Sequence, residues 1–293
     1  MSRFLDALRS GRVLLMDGAM GTELQRAGLK DGECGDLWNL THPESVRAVH
    51  QAYVDAGAEV LLTNTFQGHP EALQRHGTPR TSMQAYNRAA LALARGASRS
   101  GQLVVGDIGP WSKTPFFEKY SVVRSLSQSD AILLETFSEW SALGDVYWNS
   151  AYLGRRMAFL LSLTYHRNEA GKLVTYSGDS PEHFAMFARG CKVAALGVNC
   201  GHDVGMDETI EIIRRYRSVT DLPLFARPNA GTPTRVGDQW VYPRTPEMMA
   251  ERLPELLEAG VCMVGGCCGT TPPHIAAFRK IIDEWNARRD SHI

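Results

Sequence analysis

Val261-Cys262-Met263-Val264-Gly265-Gly266-Cys267-Cys268-Gly269-Thr270-Thr271-Pro272-Pro273-His274 contains one complete structural unit of this chain. Four apolar residues read as a strand, and a glycine-rich corner follows. Pro272-Pro273 then opens a helix, because proline is accepted in a first helical turn, where the amide has no intrahelical partner. Two adjacent thiols in the corner are poor core filler. A metal would explain them, but two sulfurs do not complete a zinc site, which takes three or four protein ligands.

Upstream, the same rhythm of apolar run, Gly/Asn/Asp-rich corner and helical pattern recurs. Strands are predicted at Val13–Met16, Glu59–Leu62, Leu103–Gly106, Ala131–Leu134, Met157–Leu163, Val193–Val198 and Leu222–Ala226, with Val261–Val264 the eighth. Helical periodicity covers Pro43 to Gly57, Ser82 to Ala97, Asp207 to Ser218, Thr245 to Ala259 and Pro272 to about Arg288. Eight strand–helix units predict an α/β fold, a (β/α)8 TIM barrel forming a single domain over residues 1–293. An open doubly wound sheet is the alternative, but its glycine-rich phosphate loop is missing. The third unit is expected to be irregular. Only Trp111 to Asp130 separates its strands, and the helical pattern there is poor. Thr232 to Arg244 reads as a long loop.

Composition fits an ordinary globular protein, with 44% hydrophobic and 22% charged residues. A formal net charge of -1 argues against a general nucleic-acid or anionic-membrane surface. No apolar run approaches the ~18 residues of a membrane span. Met1 to Arg12 lacks the apolar centre of a signal peptide, which predicts a cytoplasmic location. Six cysteines in a chain this long do not read as a disulfide framework.

Barrel enzymes carry their chemistry at the C-terminal ends of the strands. Cys200 ends the sixth strand, and Cys267 and Cys268 end the eighth, so three sulfurs face one mouth. The one-plus-two spacing is not a zinc-finger pattern. A metal site, separately buried cysteines and a vicinal disulfide all remain open at this point. If a metal binds, three thiolates suit zinc and leave one tetrahedral position open, as in catalytic sites. An exogenous thiol there would be held as a thiolate, which points to thiol alkylation.

Six segments carry a family resemblance: Asp17-Gly18-Ala19-Met20-Gly21-Thr22, Thr63-Asn64-Thr65-Phe66, Gly106-Asp107-Ile108-Gly109-Pro110, Glu135-Thr136-Phe137, Gly197-Val198-Asn199-Cys200 and Gly265-Gly266-Cys267-Cys268-Gly269. In that order they resemble the homocysteine S-methyltransferase domain shared by betaine-, S-methylmethionine- and cobalamin-dependent enzymes. The resemblance runs from about Val13 to Ile282. It implies a barrel binding Zn2+ through Cys200, Cys267 and Cys268. It also implies that Asp17 and Glu135 receive the ammonium of homocysteine. On the residues alone, Asp17 could be a turn aspartate and Glu135 a helix cap or rim ion pair. Thr63, Asn64 and Asn199 are expected to bind the amino-acid end or to support the site, with ordinary strand-end turns as the other reading. The segment from Pro110 to Asp130 is shorter than in the family and lacks its long helix.

The expected reaction moves a methyl group from a small onium donor, S-methylmethionine or betaine, to the thiol of homocysteine, giving methionine. The alternative is a homocysteine-activating module that takes methyl from a separate corrinoid (methylcobalamin) protein. The spacing from Asp36-Leu37-Trp38 to His42-Pro43-Glu44 resembles the cobalamin branch, whereas the compact length resembles the S-methylmethionine type. The chain is expected to carry no donor-binding domain of its own. Trp38, Trp111, Phe116, Phe117, Tyr120 and Trp240 lie in predicted rim loops and could present aromatic faces to a cationic donor. No general base is needed.

Overall fold

The computed structural model describes residues 2–111, 114–153, 157–237 and 239–290. Its eight barrel strands are β1 (Leu14–Leu15), β2 (Val60–Leu62), β3 (Leu103–Ile108), β4 (Ala131–Phe137), β5 (Ala158–Leu163), β6 (Ala195–Asn199), β7 (Leu224–Arg227) and β8 (Val261–Val264). From β2 to β8 each strand pairs in parallel with the next in chain order, and β8 pairs in parallel with β1. A parallel bridge between Met16 and Val60 brings β1 against β2. Two hydrogen bonds reinforce this seam, Asp17 N to Val60 O at 2.9 Å and Glu59 N to Leu15 O at 2.7 Å. An open doubly wound sheet would reverse its strand order partway, so this single-domain arrangement is the TIM barrel.

Successive strand residues face opposite sides of the sheet. Leu14 and Met16, Val60 and Leu62, Leu103 and Val105, and Ala131 and Leu133 point inward and form one buried cluster with Phe225 and Met263. Their neighbours Leu15, Leu61, Val104, Ile132 and Leu134 point outward into the larger core beneath the helices. Both faces are therefore apolar, which is why these strands read as continuous hydrophobic runs. Phe4, on the helix Arg3–Leu8, is fully buried in the inner cluster. The N-terminal helix thus packs against the barrel interior.

The predicted helices appear at Pro43–Asp55, Met83–Ala97, Met206–Arg217, Pro246–Glu258 and Pro272–Asp290. Two expectations need correction. The third unit does contain a helix, Phe116–Ser125, which buries Val122 and Val123. With so little of its surface in the core, its sequence carries only a faint amphipathic stripe. Ser112 and Lys113 of that segment lie outside the described residues. The stretch Thr232 to Arg244 is not merely a loop. It folds into an antiparallel hairpin, Thr234–Val236 with Gln239–Val241, in which Arg235 pairs with Trp240. Arg235 also bonds Asp31 at 2.8 Å and lies 5.3 Å from the Trp240 ring centroid, tying the hairpin to the loop after the helix Met20–Arg26. Among the described residues, no helix is long and apolar enough to cross a membrane.

Candidate metal centre and active site

Cys200 follows β6 in the left-handed region, with φ 54°, and Gly201 continues it at φ 112°. A side chain at Gly201 would place its Cβ 2.4 Å from the Tyr165 carbonyl oxygen, so this turn requires glycine. Across the mouth, the corner after β8 is fixed by backbone bonds. Gly266 N donates to Asp17 O, Cys267 N to Pro228 O and Ala230 N to Cys268 O, each at 3.0 Å. Gly269 closes the corner at φ 80°, with the Tyr242 ring where its Cβ would be. These constraints turn two consecutive cysteines toward one point, which a regular strand would not do.

The Cys200 and Cys268 sulfurs are 3.9 Å apart, and those of Cys267 and Cys268 4.0 Å. A tetrahedral ion with metal–sulfur bonds of ~2.3 Å has sulfur–sulfur edges of about 3.8 Å, so the trio fits one ion. The separations are far beyond the ~2.05 Å of a disulfide, and all six cysteines are free. Cys34 and Cys262 lie apart from the trio. The first is buried with its sulfur 3.8 Å from Asp36 Oδ2, and the second is half-buried in β8, 3.3 Å from Leu224 O.

Hydrogen bonds from the other two thiols pull Cys200 down to about 3, and its partnership pushes Cys267 up to about 11. Two amides support these sulfurs. Asn199 Nδ2 lies 3.7 Å from Cys267 Sγ, and Asn229 Nδ2 lies 3.7 Å from Cys200 Sγ. Asn199 is itself oriented by Ser162 Oγ at 2.5 Å and by Thr136, whose amide donates at 3.2 Å and whose hydroxyl accepts at 2.8 Å. Partners of this kind set the direction and basicity of ligating atoms.

Above the apolar interior, the same inward alternation delivers Asp107 from β3, Glu135 from β4, Asn199 from β6 and Arg227 from β7. Asp17 joins them from the end of β1. Arg227 is 3% exposed. Its guanidinium donates to Glu135 Oε1, to Asp17 Oδ1 at 3.3 Å and to Gly18 O at 3.1 Å. The second Asp17 oxygen accepts from Leu62 N at 2.8 Å. Burial pushes Asp17 and Glu135 each up to about 7, against the pull of Arg227. Burial and the neighbouring Glu135 hold Asp107 well above the carboxylate range. Three acids facing one guanidinium leave a surplus of negative charge when ionised.

These groups line a cavity of about 530 Å³ with the three cysteines on its wall. A groove of about 700 Å³ lies on the outer flank, between the helices Met83–Ala97 and Phe116–Ser125, and shares none of these residues. Thr63 and Asn64 line the cavity but are engaged within the protein. Thr63 Oγ1 pairs with Thr65 Oγ1 at 2.6 Å and accepts from Asp107 N at 3.0 Å. Asn64 Nδ2 donates to Gly35 O at 2.9 Å and Asn39 Oδ1 at 3.1 Å, which pins the loop before the next helix.

Of the six rim aromatics expected from the sequence, Trp240 lines this cavity. Trp38 is buried against His42, and Trp111 is buried with its indole nitrogen 2.8 Å from Asp145. Phe117 and Tyr120 line the outer groove, and Phe116 is exposed on the same helix. His274 acts as a staple, its ring nitrogens meeting Thr271 and the Arg244 carbonyl.

Sequence reading missed Arg227 and Tyr242. For Arg227 a signal existed. In Leu224-Phe225-Ala226-Arg227 an inward Phe225 places Arg227 inward one step higher. Tyr242 directly follows the hairpin, within the stretch that read as a loop.

The family model described as homocysteine S-methyltransferase matches residues 14–282. The chain belongs to the homocysteine S-methyltransferase family. Among curated proteins, methionine synthase from Mycobacterium tuberculosis is 30% identical, over 92% of this chain and 24% of that protein. The Mycobacterium leprae methionine synthase is 28% identical, over 96% and 26%. The chain therefore spans about a quarter of the length of these relatives. Among solved structures, the homocysteine methyltransferase MmuM from Escherichia coli, in its metallated form, superposes with a TM-score of 0.76. It is 24% identical, covering 95% of this chain and 99% of that one, and at that identity the likeness is one of fold.

Proposed function

We propose that this family member transfers a methyl group from a small onium donor, S-methylmethionine or betaine, to the thiol of homocysteine, giving methionine. Cys200, Cys267 and Cys268 would hold the zinc ion. The observation that carries this reading is three sulfurs at tetrahedral spacing on the wall of a cavity that also holds Asp17, Asp107, Glu135 and Arg227. Zinc bound there would supply a Lewis acid that keeps the acceptor sulfur a thiolate at neutral pH.

The remaining contributions belong to the chain. Three cysteines leave a fourth position for the acceptor. Asn199 and Asn229 keep Cys267 and Cys200 aimed at the shared point. Asp17 and Glu135 place negative charge where the acceptor ammonium must lie, while Thr63 and Asn64 brace the strand ends. Trp240 and Tyr242 on the cavity wall offer aromatic faces to a cationic donor. The reaction is then a displacement governed by positioning, with no proton to remove in the methyl-transfer step.

The methionine synthases among the relatives favour a second reading, in which the methyl comes from a methylated corrinoid on a separate protein. Zinc-loaded protein with homocysteine and, in turn, S-methylmethionine, betaine and methylcobalamin separates the two. Methionine formed from an onium donor alone is the expected result. Methionine from methylcobalamin alone would favour the corrinoid reading, and none from any donor would contradict both.

A further inference from the structure

We propose that the groove on the outer flank of the barrel, between the helices Met83–Ala97 and Phe116–Ser125, is a docking site for an acidic amphipathic helix of a partner protein. The groove shares no residue with the cavity at the mouth, so its role is independent of the methyl donor used there.

The lining has the spacing of a helix seat. Gln84, Arg88, Leu91 and Arg95 line the groove from one helix, and Phe117, Tyr120 and Arg124 line it from the other. Steps of three and four residues set side chains in a row along one helix face. Two such rows side by side form the kind of furrow into which a third helix packs lengthwise. From Gln84 to Arg95 the row runs about 17 Å, or three turns. The furrow is open because Phe116–Ser125 has 10 residues against the 15 of Met83–Ala97 and buries only Val122 and Val123.

The charge of the lining selects the occupant. Three guanidiniums line the groove and, among the described residues, no carboxylate does. The acids beside it are already paired, Glu118 with Arg80, and Asp130 with Arg95 at 2.7 Å. Arg88 is steadied by its Nε on the Gln84 carbonyl at 3.1 Å. Among the described residues, neither Arg88 nor Arg124 forms an ion pair. Two uncompensated cations in one groove attract carboxylates and reject a basic partner. They are too few for a nucleic acid, which is held by neutralising many phosphates along a basic stripe.

The apolar part of the seat is Leu91, Ala92 and Phe117. Phe117 is 73% exposed, which leaves a large aromatic ring in water. Aromatic residues and arginine are the types enriched at protein interfaces. A matching helix carries an apolar stripe against Leu91 and Phe117, flanked by glutamates or aspartates that reach Arg88 and Arg124.

The probe is a fluorescein-labelled helical peptide with leucines at steps of three and four and flanking glutamates. A second peptide with lysine in place of every glutamate is the control, and fluorescence anisotropy gives a Kd for each. The glutamate peptide is expected to bind at least about 10-fold more tightly at low salt, with the difference shrinking as salt rises. Arg88→Glu with Arg124→Glu should abolish that preference, and Phe117→Ala should weaken the glutamate peptide by about 10-fold. All three positions are exposed, so thermal melting and methionine formation should stay at wild-type values. Arg88→Gln with Arg124→Gln removes the charges without reversing them and should give an intermediate loss. Equal binding of the two peptides, binding of neither, or wild-type binding by the charge-reversed variant would overturn the proposal. A single-stranded oligonucleotide that binds more tightly than the glutamate peptide, and is lost in the same variant, would overturn it in favour of a nucleic acid. A concentration-dependent dimer in sedimentation that the same variant loses would overturn it in favour of a second copy of this chain.

Discussion

Cys267→Ala is expected to lose stoichiometric zinc and to lower methionine formation by about 10³-fold while the barrel stays folded. The magnitude has two parts. A free thiol with a pKa near 8.5 is only about 3% thiolate at pH 7, so losing metal activation costs roughly 30-fold. Losing the fixed position of the sulfur costs roughly another 10²-fold, the usual penalty for a misplacement near 1 Å. The fold should survive because Cys267 lies beyond the end of β8 and its backbone amide still reaches Pro228 O. Metal content, a thermal melt and methionine yield check the three parts. A variant that keeps bound zinc and near-normal turnover would remove Cys267 from the ligand set.

Arg227→Gln is expected to act on stability more than any other single change at the mouth. It leaves Asp17, Glu135 and Asp107 buried without their guanidinium. Breaking a buried pair by removing one partner typically costs about 3–5 kcal/mol. In a chain of this size that lowers the Tm by roughly 10 °C. The effect has a definite pH dependence. Burial already raises Asp17 and Glu135 to about 7 in the folded protein, above their ordinary 3.8 and 4.5. An acid with a raised folded pKa binds its proton more tightly when folded, so its contribution is favourable at low pH and is lost as pH rises through about 7. Removing Arg227 raises both further. The deficit of the variant should therefore be largest above pH 7 and should shrink toward pH 5. A deficit that is constant or grows on acidification would show that Arg227 does not act by compensating these carboxylates.

The barrel was legible in the sequence for a physical reason. Strands buried on both faces read as short apolar runs, and each ends in a polar corner where the chain reaches the mouth. The cysteine trio followed because Cys200 and the Cys267–Cys268 pair end strands at the same rim. What escaped reading depends on partners distant in sequence. Arg227 next to Pro228 looks like a solvated strand end. Only the fold brings it to Glu135, 92 positions away, and Asp17, 210 positions away. Asn64 resembled a substrate contact, but Gly35 and Asn39 claim its amide, and no local pattern announces that. The helix Phe116–Ser125 and the hairpin over the mouth escaped for the opposite reason. The first buries only Val122 and Val123 of its residues, and Thr234, Arg235 and Val236 of the second are all exposed, so neither carries the periodicity that a core imposes.

X-ray absorption at the zinc edge, recorded before and after homocysteine is added, tests the central claim most directly. That claim is that three cysteine sulfurs at the barrel mouth hold an ion whose fourth position takes the acceptor thiol. The expected result is three sulfur neighbours at about 2.3 Å that become four with homocysteine. A sulfur count that homocysteine leaves unchanged would contradict it.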